Sequence, residues 1–214
     1  MSIYVHPIAT DHDQLSQYVQ FPIDLYRDNA CYVPPLVIDQ IATLSPEGNP
    51  AFDFCEAQSF MAFDNGEPVG TITAIINRAA NEKTGQKQMR FGFMDFIDSD
   101  EVVDSLFEAV AQWGRERGMK EMVGPVGFTD MDPEGMLIEG FDEMGTMATI
   151  YNYPYYVRHM ERLGFVKDAD WIEYRITIPD GIPEKHQRIA EIVARKYGLK
   201  VLKYTSRKKI RREY

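Results

Sequence analysis

Six consecutive residues, Tyr151 to Tyr156, read YNYPYY and hold four tyrosines and one asparagine. A phenol ordinarily gives up its proton near pH 10, so beside a reacting centre it can protonate a leaving group or orient a substrate. Tyr151 and Tyr156 are the candidates for such an acid, and the four rings can line a substrate slot. Rings at this spacing also suit an ordinary core. Upstream, residues 124–147 carry Asp130, Asp132, Glu134, Glu139, Asp142 and Glu143 with no lysine or arginine. These carboxylates can hold a cationic amine, and Asp130 or Asp132 can take its proton. They suit a solvated acidic loop equally well. The spacing Asp130-x-Asp132-x-Glu134 invites calcium or magnesium, but the remaining oxygen ligands of a calcium loop are missing, so no metal is expected.

The surrounding pattern supplies elements that would position these groups. Residues 3–7 alternate as a first strand, and Leu15, Tyr18, Val19, Ile23 and Tyr26 fall at helical spacing, with Pro22 as a break between two helical pieces. Pro34-Pro35 makes a rigid connection to a short helix over 37–44. Residues 59–63 and 69–77 read as strands joined through Asn65-Gly66, a strong hairpin signal. A polar loop over 78–87 leads to a third consecutive strand over 89–96. Asp98-Ser99-Asp100-Glu101 starts a helix whose apolar face is Val102, Val103, Leu106, Phe107, Val110 and Trp113. Gly118 ends it before a strand over 119–123. After the tyrosines comes an amphipathic helix, stopped by Gly164 in the left-handed conformation. A strand over 171–178, a helix over 183–197 and one more strand over 199–204 complete the reading. Trp113 and Trp171 are expected in the core. The histidines His6, His12, His159 and His186 are scattered and expected at the surface.

The segment YNYPYYVRHMERLGF, with Asn152, Glu161, Gly164 and Phe165, resembles the last helix–strand step of the GCN5-related N-acetyltransferase (GNAT) superfamily. There the segment reads roughly Asn, a few residues, then Tyr-Glu-x-x-Gly-Phe. The order β-α-α-β-β-β-α-β-α-β over residues 1–178 is also that superfamily's order, and RERGMKEMVG resembles its passage from central helix to fifth strand. GPVGFTDMDPEGMLIEGFD, YNYPYY and LGF followed by Lys167-Asp168 resemble, more narrowly, a group of bacterial acetyltransferase-like proteins of poorly defined activity. Their chains usually run on into a second acyltransferase-like half.

The resemblance implies a mixed α/β fold, the GNAT-like acyl-CoA N-acyltransferase fold, with a mixed central sheet flanked by helices. It implies acyl (acetyl) transfer from acetyl-CoA or another acyl thioester, as co-substrate, to an amine or other small acceptor. Phe93, Met94, Asp95 and Phe96 of the fourth strand, Gly124 after the fifth, and Asn152 are the positions implied to contact that cofactor. Two departures stand out. Met160 occupies the place of the superfamily's acidic tyrosine. The diphosphate loop, ordinarily rich in glycine with a basic or amide residue, is Phe96-Ile97-Asp98-Ser99-Asp100-Glu101. Each like-charge pair of phosphate and carboxylate at ~4 Å costs roughly 4 kcal/mol at an effective dielectric of ~20. The donor's phosphate would then sit elsewhere, as in an acyl-carrier protein, or free CoA would bind weakly. The alternative is a catalytically degenerate domain that binds a ligand or a protein.

Composition bounds the rest. The 214 residues suit an acyltransferase-like domain over 1–180 and a helix–strand extension over 181–214, possible start of a second half. A net charge of −10 disfavours nucleic acid as partner. No apolar run is long enough for a membrane span, and no leader pattern opens the chain. Cys31 and Cys55 read as reduced thiols, so a cytoplasmic protein is expected. Residues 200–214 hold seven basic residues against Glu213, with apolar residues among them, which suggests a solvated helix or a homo-oligomeric contact.

Overall fold

Alternating apolar residues from 55 to 96 build the centre of the computed structural model, which describes residues 3–178 and 180–206. Strands β1 (Ile3–Pro7), β2 (Cys55–Asp64), β3 (Glu67–Asn77), β4 (Gln88–Phe96) and β5 (Glu121–Val123) form one sheet in the order β1-β2-β3-β4-β5. All neighbours are antiparallel except β4 and β5, which run parallel. The β2–β3 turn is made by Asn65 and Gly66, both at positive φ, as a two-residue hairpin requires.

Helices cover both faces. On one side, α4 (Asp100–Glu116) buries Val103, Leu106, Phe107 and Val110 against Ile72, Phe91 and Phe96, and α5 (Tyr155–Arg162) adds Tyr156 and Met160. On the other, α1 (His12–Leu25) buries Leu15, Tyr18 and Val19 against Met61 and Ile75, beside α2 (Val37–Leu44). This is the mixed α/β, GNAT-like fold expected from the order of elements.

Four local expectations are corrected. Helix α1 runs through Pro22 rather than breaking there, because half-buried Ile23 and Leu25 beyond the proline pack on the same core as Leu15, Tyr18, Val19 and Phe21, and only one N–H is forfeited. Residues 78–84 form helix α3 (Arg78–Thr84) rather than a loop: the Asn77 side chain caps Ala80 N–H, and Gly85 ends the helix at φ 71. Residues 171–178 form no strand, and Trp171, expected in the core, is 70% exposed. Alternation supplies a strand's side chains but not its hydrogen-bond partner, and among the described residues the sheet ends at β5. Residues 199–204 likewise form no strand.

The chain divides into two units, residues 1–169 and 170–214. Within the second, α6 (Glu184–Tyr197) is an amphipathic helix ended by Gly198 at φ 62. Residues 207–214, the greater part of the basic segment, lie outside the described residues. Among the described residues, no helix is long and apolar enough to cross a membrane.

Candidate active site

Strand β4 carries an irregularity that decides which side chains meet. Thr73 pairs with Gly92 and Thr71 with Asp95, so Ile72 alone faces both Phe93 and Met94. Phe93 sits at φ 47. This is a β-bulge, and it exchanges the faces to which the following side chains point.

Beyond it, the Asp95 carboxylate accepts from the hydroxyls of Tyr26, just past α1, at 2.8 Å and of Tyr156 on α5 at 3.1 Å. The two phenols lie 2.8 Å apart, and Phe96 N–H donates to Tyr156 at 3.0 Å. Part of Asp95 reaches the surface, but its carboxyl lies among these rings, and desolvation pushes it up to about 7 although both tyrosine hydrogen bonds pull it down. Burial, with the Asp95 charge behind it, likewise raises Tyr26 and Tyr156 well above 10. Three oxygens within hydrogen-bond reach form a site that exchanges a proton near neutral pH. The Tyr26 ring is in turn packed by Tyr32 (4.6 Å), Tyr153 (4.9 Å) and, edge-on, Tyr151 (5.7 Å). The last three are half-buried and form the outer wall.

The β4 edge is closed in two different ways. Val126 N–H donates to Phe91 O at 2.8 Å, and this approach demands glycine on both sides. A Cβ on Gly92 would stand 2.5 Å from Val126 O, and one on Gly124 2.3 Å from Phe91 O. At Phe96, side chains replace a strand: Tyr156 accepts from its N–H, and Tyr155 donates to its carbonyl at 2.6 Å.

The start of α4 is capped from within. Ser99 accepts from Val102 N–H. Asp98 pairs with Arg158 and with His159 Nε2 at 2.8 Å, while Arg162 reaches Asp100 at 3.2 Å and Asp104 at 2.7 Å. His159 is fully buried, correcting the expectation of a surface histidine. Its Nδ1 lies 3.3 Å from an Asp100 oxygen without the alignment of a hydrogen bond. Two of the carboxylates anticipated to repel a diphosphate, Asp98 and Asp100, are thus paired with arginines of α5. A depression of about 570 Å³ lined by Asp98, Ser99, Asp100, Glu101, Arg158 and Arg162 opens beside them.

The anticipated residues separate into groups. Tyr156, Asp95 and Phe96 come together, with Tyr151 in the surrounding wall, where its hydroxyl donates to Phe141 O and accepts from Asn29. Phe93 forms the bulge, and the Met94 side chain enters the core with α4. Asn152 is buried and holds residues 124–147 in place, accepting from Leu137 N–H at 2.6 Å and donating to Leu137 O at 3.1 Å. Asp132 closes a turn by accepting from Thr129 N–H at 2.8 Å and lines a different depression with Asp39 and Asn49; Asp130 is exposed. The sequence marks Asp95 only as an implied cofactor contact, not as a proton acceptor, and does not mark Tyr26 as a site group. The available signal was an aspartate inside the apolar run Arg90-Phe91-Gly92-Phe93-Met94-Asp95-Phe96. Among the described residues, no three His, Cys, Asp or Glu side chains cluster as metal ligands.

No family model matches the chain. It is 33% identical over 162 residues to Protein YghO of Escherichia coli (strain K12), covering 76% of this chain and 41% of that one. It is 30% identical over 185 residues to the bacterial ceramide synthase of Caulobacter vibrioides, covering 86% of this chain and 48% of that one. The chain therefore spans less than half the length of either relative. Among solved structures, a tandem GNAT protein from the clavulanic acid biosynthesis pathway superposes with a TM-score of 0.49 at 13% identity, over 76% of this chain and 43% of that one. The fold is carried by this chain's own topology, the order β1-β2-β3-β4-β5 with a parallel β4–β5 pair.

Proposed function

We propose that this GNAT-like chain moves an acyl group from a thioester donor to an amine, with Asp95 taking the amine's proton. The observation that carries the reading is the Asp95 carboxyl, raised to about 7 and held by Tyr26 and Tyr156 where side chains rather than a strand complete β4. An amine arriving as its ammonium ion gives one proton to the Asp95 carboxylate. Its lone pair then attacks the thioester carbonyl, and the C–N bond forms as the C–S bond breaks. The second nitrogen proton returns to the departing thiolate through the Tyr156 hydroxyl, which Asp95 can reprotonate. Atoms and charge balance, giving an amide and a thiol.

The acceptor we propose is a long-chain amine. A ceramide is the amide of a fatty acid with a long-chain amino alcohol, and a relative carries the name ceramide synthase. Independent support comes from the surface beside the tyrosine wall. Met144 and Met147 are exposed, and Gly145 N–H binds Cys31 O, tying the loop that carries them to the segment that carries Tyr32. Apolar side chains among carboxylates suit an amphiphile with a cationic head.

At the start of α4 Ser99 already takes the Val102 N–H, and the nearby cations Arg158 and Arg162 are already paired with Asp98, Asp100 and Asp104, which leaves little to hold the donor's phosphate. We therefore expect free CoA to bind no tighter than the high micromolar range, roughly −5 to −6 kcal/mol. S-acyl-pantetheine, which lacks the diphosphate, should bind within about threefold of acyl-CoA, or ~0.7 kcal/mol. Titration calorimetry with acetyl-CoA, a long-chain acyl-CoA and S-acyl-pantetheine tests this. A nanomolar constant for CoA would overturn the reading of the α4 terminus.

One observation favours a second reading. The Phe96 N–H and C=O are occupied by Tyr156 and Tyr155, as in a domain that keeps the fold and binds a ligand or protein without catalysis. Absence of binding by every thioester in that titration would select it.

A further inference from the structure

Asp95 meets the tyrosines only because β4 bulges. Met89 and Phe91 point into the core under α4, and strict alternation would turn residue 95 the same way and Phe96 away from it. The extra residue reverses this. Met94 and Phe96 join Phe91 in that core, while Phe93 and Asp95 face the side of α1. The bulge turns on Phe93 at φ 47, a conformation that residues with a Cβ avoid. Something must hold it.

One buried hydroxyl does. Tyr18 of α1 donates to Phe93 O at 2.5 Å. A carbonyl can only accept, so the Tyr18 oxygen accepts from Thr73 Oγ1 at 2.8 Å, and Thr73 accepts from Ser59 Oγ at 2.8 Å. Ser59, Thr73 and Tyr18 are all buried. Their protons run in one direction and end on the bulge carbonyl.

We infer that Tyr18 is a positioning residue: its hydroxyl fixes the β4 bulge through the Phe93 carbonyl and so aims Asp95 at Tyr26 and Tyr156. This rests on the proposed role of Asp95 in acyl transfer, but the placement of the carboxyl can be read without turnover. The titratable groups facing that carboxyl are Tyr18 and Tyr26 from the α1 side, Tyr32 from the loop after it, and Tyr155 and Tyr156 from α5. Asp98 acts one step further out, on Tyr155.

Tyr18→Phe keeps the ring and removes the donor. The expected result is a kcat for amide formation lower by about tenfold or more, with the thioester KM within about twofold, as for a small displacement of a reacting group. Phe93→Gly added to Tyr18→Phe should restore much of that kcat while lowering the melting temperature further, because glycine takes positive φ unaided. A residue that only fills the core would not be rescued by deleting a second ring. Carbon-13 NMR of the aspartate carboxyls, with Asp95→Asn to identify the signal, gives a readout independent of activity. In Tyr18→Phe the Asp95 midpoint should move upward, since the carboxyl loses tyrosine donors while staying out of water.

If Tyr18→Phe does not fold, Thr73→Val should lower kcat in the same sense by about two- to threefold, and Thr73→Ser should match the wild type. An unmoved Asp95 midpoint in a folded Tyr18→Phe protein, or a kcat loss that Phe93→Gly leaves uncorrected, would overturn the inference. A moved midpoint in a protein whose wild type makes no amide would uphold the role of Tyr18 and overturn the acyl-transfer reading instead.

Discussion

Replacing Asp95 by asparagine should stabilise the fold and abolish the chemistry. The carboxyl moves from an ordinary 3.8 to about 7 on folding because it is desolvated among Tyr26, Tyr156 and their neighbours. Between those pH values the folded protein holds a proton that the unfolded chain has released, so stability falls as pH rises from about 4 to 7, and the whole penalty is present above 7. The interval from 3.8 to about 7 corresponds to about 4 kcal/mol if Asp95 acts alone. Part of the residue touches solvent, so about half of that, ~2 kcal/mol, is a sounder expectation. Asparagine keeps an oxygen that both tyrosines can donate to and carries no charge. At pH 8 Asp95→Asn should therefore melt about 4–8 °C above the wild type, taking 2–4 °C per kcal/mol for a unit of this size. At pH 4, close to the carboxyl's ordinary value, the unfolded chain holds much of its proton as well and the two should melt nearly together. Thermal unfolding at both pH values reads the difference directly. A variant that is less stable at pH 8, or shifted equally at both, would refute the desolvated carboxylate and with it the proposed base.

Tyr156→Phe leaves Phe96 N–H without its acceptor and Asp95 with one donor fewer. Its kcat should fall by about 10- to 100-fold, and the pH at which activity appears should rise, read from a pH–rate profile. Asp98→Asn combined with Asp100→Asn frees Arg158 and leaves Arg162 with Asp104 alone, so CoA should bind about tenfold more tightly, ~1.4 kcal/mol by calorimetry; an unchanged constant would mean that the phosphate goes elsewhere. Asp132→Ala removes the acceptor for Thr129 N–H and should cost about 1 kcal/mol of stability in denaturant titration, whereas the exposed Asp130→Asn should cost almost none. Weaker amine binding by both variants with unchanged stability would instead make the acidic loop part of the acceptor site.

Much of this fold is legible in the chain because its signals are local. Asn65-Gly66 fixes a hairpin, Ser99 starts α4, and Gly164 at φ 86 follows α5, each through the conformation of one or two residues. The strand over 171–178 fails for the opposite reason: its ladder depends on a neighbour that alternation cannot name. The site is legible only in part. Tyr156 and Asp95 are nameable from sequence, but the bulge that unites them is not. Phe93 carries no glycine signature at its positive φ, and Tyr18 and Tyr26 lie some 70 residues from the strand they serve, joined by tertiary hydrogen bonds alone. Asp132 reads two ways for a simple reason. A carboxylate in a polar loop looks alike in sequence whether it caps a turn or awaits an amine.

The most direct test is amide formation itself. The protein is incubated at pH 8 with a long-chain acyl-CoA or S-acyl-pantetheine and a long-chain primary amine, and the product is followed by mass spectrometry beside Asp95→Asn. The account predicts that the wild type forms the amide with release of free thiol, at a rate that climbs as pH rises through about 7, and that Asp95→Asn, folded and more stable, forms none above background. Amide formation at equal rates by both proteins would contradict it.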